Sequence, residues 1–107
     1  MMLQNPMCDQ MVTVYRREKG QIIRFVLEDC FYKYRDVVTE DRFERKFLLI
    51  GPGEEPLRAG DRIFDGVGPG TVNWEEFLPI RVPGLSQAAY AEPYYLLGKV
   101  HHWEAGR

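Results

Sequence analysis

The fold class is decided by the stretch MVTVYRREKGQIIRFVL, residues 11–27. In its first run, Met11–Tyr15, Val12 and Val14 alternate with Met11, Thr13 and Tyr15, and all but Met11 are β-branched or aromatic. The connector Arg16–Gly20 is polar and ends in glycine, and the second run, Gln21–Leu27, is again rich in Ile, Phe and Val. Two β-rich runs around a glycine-containing connector predict a β-hairpin.

Further β-strands are predicted on the C-terminal side of this hairpin. Glu28 and Asp29 predict a bend or bulge, after which Cys30–Tyr34 resumes the alternation. Lys46–Ile50 is a compact apolar run typical of a core strand, and Arg62–Phe64 is a short strand. Turns are predicted where Gly, Pro or Asp cluster, at Gly51–Pro56, Leu57–Asp61 and Asp65–Gly66.

The remaining segments have weaker patterns. Asp36–Arg45 favours a charged loop, and Asn73–Phe77 favours one helical turn with Asn73 as its cap. Leu78–Leu85 contains two prolines and is expected to be extended at an edge. Ser86–Pro93 is interpreted as a loop or short helix, and Tyr94–Trp103 as the last strand.

Together these patterns predict one mainly β domain. We expect about six or seven short strands and one or two short helical turns, arranged as a small β-barrel or sandwich. Residues 1–10 are expected to form a flexible N-terminal arm, and residues 11–107 a single β-rich domain.

Composition argues against several classes of protein. The 107 residues carry a net charge of −2, whereas a nucleic-acid-binding domain is usually basic, so sequence-specific nucleic-acid binding is not expected. No apolar run approaches the roughly 20 residues that cross a bilayer. Two cysteines are too few for a disulfide scaffold, so we expect a cytoplasmic protein with reduced thiols.

No catalytic, cofactor-binding or metal-ligating set is predicted. His101 and His102 are adjacent in a predicted strand, where neighbouring side chains point to opposite faces, so their imidazoles should diverge. Cys30 with His101 could form a nucleophile pair, although the position of Cys30 within a strand favours core packing. The glycines of residues 66–70 lack the Lys of a phosphate-binding loop.

Two groups of residues are singled out for roles other than catalysis. The aromatic residues near the C-terminus are, as a group, the main evidence for an interaction surface, because interfaces are enriched in such side chains, although core packing is the simpler interpretation of any one of them; these are Tyr90, Tyr94, Tyr95 and Trp103. A structural turn is predicted at Gly60, Asp61 and Gly66, since Gly allows a positive φ and Asp can accept from a nearby amide.

The unit LRAGDRIFDG, Leu57–Gly66, resembles one found in small head-completion and minor capsid proteins of tailed phages and prophages. The opening Cys8–Tyr15, the run Cys30–Tyr32 and the ending His101–Arg107 are also similar to a group of short proteins in prophage structural-gene clusters.

This resemblance implies a non-enzymatic β-barrel at the head–tail junction, with no catalytic residues or cofactors. The implied partners are other phage structural proteins, namely portal, neck or tail-joining subunits, and further copies in a ring. The implied location is the bacterial cytoplasm during assembly and then the virion.

Two other functions remain open. One is a small module of the bacterial cytoplasm that binds a peptide or protein through a sheet edge or the tyrosine-rich segment. The other is a small-ligand binder or enzyme with a pocket near Cys30 and His101.

Overall fold

A computed structural model describes residues 8–107 and shows a seven-stranded antiparallel sheet. The mainly β prediction is therefore confirmed. Residues 1–10 were predicted to form a flexible arm, and positions 1–7 of that arm lie outside the described residues. Gln10, its last residue, is the first residue of a strand. The strands are β1 (Gln10–Glu18), β2 (Gln21–Val38), β3 (Phe43–Pro52), β4 (Arg62–Asp65), β5 (Leu85–Gln87), β6 (Tyr90–Leu96) and β7 (Lys99–Gly106).

The long strand β2 links the two halves of the sheet. The order of the strands in the sheet is β5-β4-β1-β2-β3-β7-β6. The first half of β2 pairs with β1 and the second half pairs with β3. The change of partner falls beside Asp29, whose φ is +57°. This is the bend predicted at Glu28 and Asp29. It converts the two predicted strands, Gln21–Leu27 and Cys30–Tyr34, into one bent 18-residue strand.

The sheet is folded over a shared core but is not closed into a barrel. Within residues 8–107, β5 pairs with β4 and β6 pairs with β7, and no ladder joins β5 to β6. The barrel form of the prediction is therefore wrong. Instead the halves face one another, because one buried cluster contains Val14 and Ile63 from one half and Leu49 and Ala105 from the other.

The connection from β4 to β5, residues 66–84, covers the opposite face of β1. There Tyr15 packs with Phe77 and Leu85 in a second buried cluster, and the rings of Tyr15 and Phe77 meet edge to face at 4.7 Å. Val12, Thr13, Val14 and Tyr15 are all fully buried because both faces of β1 are covered.

Arginine side chains hold this connection in place. Arg24 donates to the carbonyls of Gly68 and Pro69, and Arg45 donates to those of Val82 and Leu85. An arginine side chain can donate several hydrogen bonds at once, so it can satisfy backbone carbonyls of the connection that do not pair with a strand.

Leu78–Leu85 is not extended, contrary to prediction. The amides of Arg81 and Val82 both donate to the carbonyl of Leu78, so the chain turns back on itself. The predicted turn at Asn73–Phe77 is present: the amide of Phe77 donates to Asn73 O, and Asn73 Oδ1 accepts from the amide of Glu75. Neither turn extends into a helix in the part of the chain that is described.

The C-terminal segments also differ from prediction. Tyr94–Trp103 is not one strand but a hairpin, which reverses at Leu97 and Gly98 with φ of +52° and +79°. Ser86–Pro93 is not a loop or helix, because it supplies parts of β5 and β6. The predicted loop Asp36–Arg45 shrinks to residues 39–42.

Candidate functional site: the β6–β7 hairpin

The β6–β7 hairpin, Tyr90–Gly106, forms one end of the sheet. Among the described residues β6 pairs with β7 alone, so its other edge carries no strand. Pro93 lies in the middle of β6 and has no amide hydrogen. A proline in an edge strand hinders pairing with a further strand.

The outer face of the hairpin presents two of the tyrosines singled out in the sequence. Tyr90 lies opposite Gly106, where an added Cβ would come within 2.6 Å of the tyrosine hydroxyl. Tyr94 lies opposite His102, and the two rings stack at 4.9 Å with an interplanar angle of 4°. The glycine at position 106 therefore leaves the room that the Tyr90 ring occupies.

Two carboxylates face each other between these pairs. Glu92 lies directly opposite Glu104, and Tyr94 donates its hydroxyl hydrogen to Glu92 Oε1 at 2.9 Å. Hydrogen bonding to Glu104 and Glu92 raises the pKa of Tyr94 above its ordinary value. Like charges directly across a ladder are unfavourable, so Tyr94 partly offsets this repulsion by donating a hydrogen bond.

The tip of the hairpin is apolar and highly exposed. Tyr95, Leu96 and Leu97 are 67%, 57% and 94% exposed, and we call these three residues the apolar tip. Leu97 and Gly98 form a two-residue turn with positive φ at both positions, which is a type I′ turn. Such turns favour Asn, Asp or Gly, and a bulky residue with positive φ is strained.

Sequence reasoning missed this tip. Gly98 within an otherwise β-like run was the available signal, because Gly often marks the second position of a type I′ turn. The turn was not predicted because Leu97, at its first position, is not one of the residues that type I′ turns prefer.

Trp103 does not share the face of Tyr90 and Tyr94. It lies opposite Pro93 and packs against the main core cluster. Its indole Nε1 is buried without a hydrogen-bond partner among residues 8–107. The predicted aromatic group is therefore divided into three exposed tyrosines and a tryptophan on the core side.

The two histidines converge, contrary to prediction. Tyr94 pairs with His102 and Tyr95 with Val100, so His101 is an extra residue in β7, a β-bulge. A bulge interrupts the alternation of side chains, and Nδ1 of His101 lies 3.0 Å from Nδ1 of His102.

Two cavities open beside this bulge. A cavity of about 900 Å³ lies between β2 and the hairpin; its lining includes Val26, Glu28, Glu54, Glu55 and His101. A smaller cavity of about 340 Å³ is lined by Cys8, Asp29, Ile50, Gly51, Pro52, His101 and His102. Across residues 8–107 no set of three His, Cys, Asp or Glu side chains is arranged to hold a metal ion.

Cys30 is not paired with His101. The thiol is fully buried and donates to the carbonyl of Glu28 at 3.4 Å, while burial raises its pKa to about 12. A thiol that stays protonated is a poor nucleophile. No hydrogen bond joins Cys30 to the imidazole of His101 in the described range.

The turn around Gly60 and Asp61 has the geometry that a structural role requires. Gly60 and Gly66 have φ of +92° and +84°. Asp61 is 1% exposed and accepts hydrogen bonds from the backbone amide of Arg58 and the guanidinium of Arg16. These contacts join the turn to β1, far from the β6–β7 hairpin in sequence.

Comparison of this chain with protein-family models, with curated proteins and with solved structures gave no significant match. Residues 8–107 include no helix of the length and apolarity needed to span a bilayer.

Proposed function

We propose that this chain is a non-enzymatic structural subunit of a tailed phage or prophage particle, acting at the head–tail junction. It would assemble in the bacterial cytoplasm and remain in the virion. The resemblance of Leu57–Gly66 to head-completion proteins supports the setting, and the apolar tip supports the role in assembly.

One observation carries the assembly role: Leu97 is 94% exposed and has a φ of +52°. Neither property stabilises the fold. A leucine that stays exposed contributes almost no hydrophobic free energy to folding, and a bulky residue is strained at positive φ. Strain of this kind is concentrated at functional positions. A partner that buries Leu97 would account for leucine at this site.

The hairpin would bind through side chains rather than through its free edge. Pro93 interrupts the row of amides that a further strand would need, while Leu97 lies beyond the last paired residues, Leu96 and Lys99. Contacts at the centre of an interface are typically apolar and aromatic, which fits the composition of the tip.

A ring of identical subunits needs two different surfaces, one contacting each neighbour. A second pair of exposed apolar side chains lies on one face of the β1–β2 hairpin, where Ile22 and Val26 are 39% and 37% exposed. The apolar tip of one subunit would pack against this pair on the next.

Deletion of the coding sequence from the phage or induced prophage tests the setting. Negative-stain images should show heads and tails that are not joined. Intact tailed particles in the absence of the protein would refute the proposal.

Complementation tests the role of the tip. A Leu96→Ser, Leu97→Ser double variant should fail to restore joined particles. The control is Ile80→Ser, because Ile80 is also exposed, at 65%, but lies in the β4–β5 connection. Equal rescue by both variants would exclude the tip as an assembly surface.

A binding module for a basic peptide is a second candidate. The larger cavity places Glu28, Glu54 and Glu55 beside the apolar Val26. Recovery of a host protein rather than phage structural proteins in a pull-down, with the interaction lost in Glu54→Gln, Glu55→Gln, would favour this function.

A further inference from the structure

The two imidazoles of the chain face one another across a short distance. His101 and His102 are its only histidines, and their Nδ1 atoms are 3.0 Å apart. One ring must donate a hydrogen to the other at this distance, with roles set by the tautomers. Two imidazole nitrogens held this close together can also serve as two ligands of one metal ion.

A β-bulge in the backbone brings the two side chains together. The extra residue at His101 turns its side chain toward the face occupied by His102. The ring of His102 is held in turn by stacking on Tyr94 at 4.9 Å. Bulges that redirect side chains are common next to functional sites.

We propose that His101 and His102 together bind one divalent transition-metal ion through their Nδ1 atoms. An ion about 2.05 Å from each nitrogen would subtend about 94° between them at the observed separation. This angle is close to the right angle between neighbouring ligands in tetragonal coordination, which Ni²⁺ and Cu²⁺ prefer, and is smaller than the tetrahedral angle of structural zinc sites.

The surroundings favour a cation. The smaller cavity, which both histidines line, also contains Cys8 and Asp29 in its wall. The neighbouring cavity adds Glu28, Glu54 and Glu55, and no described lysine or arginine lines either cavity. Water would complete the coordination, since no third side chain of residues 8–107 is positioned with the two imidazoles as a ligand.

Binding requires a change of tautomer and a rotation of the two rings that turns their Nδ1 lone pairs from each other toward the ion. The hydrogen shared between the two Nδ1 atoms moves to Nε2, which leaves both Nδ1 lone pairs for the ion. Metal binding can be tested apart from particle assembly, because the site involves neither the apolar tip nor the unit Leu57–Gly66 that resembles head-completion proteins.

Calorimetric titration of NiCl₂ into the untagged full chain tests the proposal. We expect one ion bound per chain at micromolar concentration. His101→Gln and His102→Gln should each weaken binding at least about tenfold, because loss of even an outer-shell partner costs 10–100-fold. Lys99→Gln, an exposed change in the same strand, is the matched control and should bind as the parent does.

Thermal unfolding with and without Ni²⁺ gives a second measurement. Ni²⁺ should raise the Tm of the parent and of Lys99→Gln but not of the His101→Gln, His102→Gln double variant. Unchanged Ni²⁺ affinity in the folded double variant would overturn the proposal. Binding that is lost in Cys8→Ser but kept in the double histidine variant would also overturn it.

Discussion

Arg16 donates two parallel hydrogen bonds to Asp61, from Nε to Oδ1 at 2.8 Å and from Nη2 to Oδ2 at 2.7 Å. The two side chains are 13% and 1% exposed and join β1 to the turn before β4. The hydrogen bond to Asp61 raises the pKa of Arg16 above its ordinary value. The bidentate pair therefore fixes a turn that is 45 residues away in sequence.

Asp61→Ala should lower the free energy of unfolding by about 3 kcal/mol, because it leaves the guanidinium of Arg16 without its carboxylate in a largely buried setting. Glu75→Ala is the control, since it removes an exposed ion pair with Arg17 and should cost less than about 1 kcal/mol. Urea denaturation measures both. Similar losses in the two variants would contradict the difference in burial.

The Asp36–Arg45 pair predicts a pH dependence of stability. Hydrogen bonding to Arg45 lowers the pKa of Asp36 below its ordinary value of 3.8. A depressed pKa in the folded state contributes stability above 3.8, which is lost as the pH falls through the folded pKa. Parent protein should therefore exceed Asp36→Asn in stability at pH 7, and the difference should close in acid.

Denaturation curves at a series of pH values measure this difference. In an Arg45→Met background the effect of Asp36→Asn should shrink at neutral pH, because the partner that depresses the pKa is gone. An effect of equal size in both backgrounds would show that Arg45 is not its source.

Gly53→Ala should destabilise the protein by about 1–3 kcal/mol, because an added Cβ would collide with the backbone carbonyl of Val100. The control is Gly70→Ala, where nothing lies within 4 Å of the added atom. Thermal unfolding should separate the two variants. Equal Tm values would mean that the β3–β4 connection can move away from β7 at no cost.

The two thiols should differ sharply in reactivity. Cys30 is fully buried with a pKa raised to about 12, whereas Cys8 is partly exposed. Iodoacetamide at neutral pH should modify one thiol per folded chain, and Cys8→Ser should abolish this labelling. Mass spectrometry of the folded and urea-unfolded protein gives the count; rapid labelling of Cys30 in the folded state would contradict its burial.

Leu97→Asn should raise the free energy of unfolding by about 0.5–1 kcal/mol, because Asn tolerates positive φ in a type I′ turn better than Leu. Lys19→Asn provides a matched variant, since Lys19 and Gly20 form the corresponding turn between β1 and β2 with φ of +48° and +77°. Both should be more stable than the parent, as urea denaturation would show.

Particle assembly distinguishes these two turn variants. Leu97→Asn should impair joining of heads to tails, because it removes an apolar side chain from the tip, whereas Lys19→Asn should not. A stabilised Leu97→Asn protein that supports assembly fully would remove the argument that leucine is retained there for a partner.

The sequence by itself determined the elements whose signals are local. The alternation in residues 11–27 and the glycine at position 20 predicted the β1–β2 hairpin correctly, since a turn and its flanking strands depend on neighbouring residues, but the predicted connector Arg16–Gly20 shrinks to Lys19 and Gly20 because β1 stays paired as far as Glu18. The apolar run Lys46–Ile50 likewise identified β3 as a core strand.

Tertiary structure alone decided the order of the strands, the cover over β1 and the convergence of the histidines. The β4–β5 connection takes its path from arginine contacts across the sheet, such as those of Arg24 and Arg45. His101 and His102 meet because pairing with β6 leaves His101 as an extra residue of β7, opposite the step from Tyr94 to Tyr95. The strand order depends on pairing between segments that are distant in sequence, and the bulge is one extra residue that the alternation of side chains does not reveal.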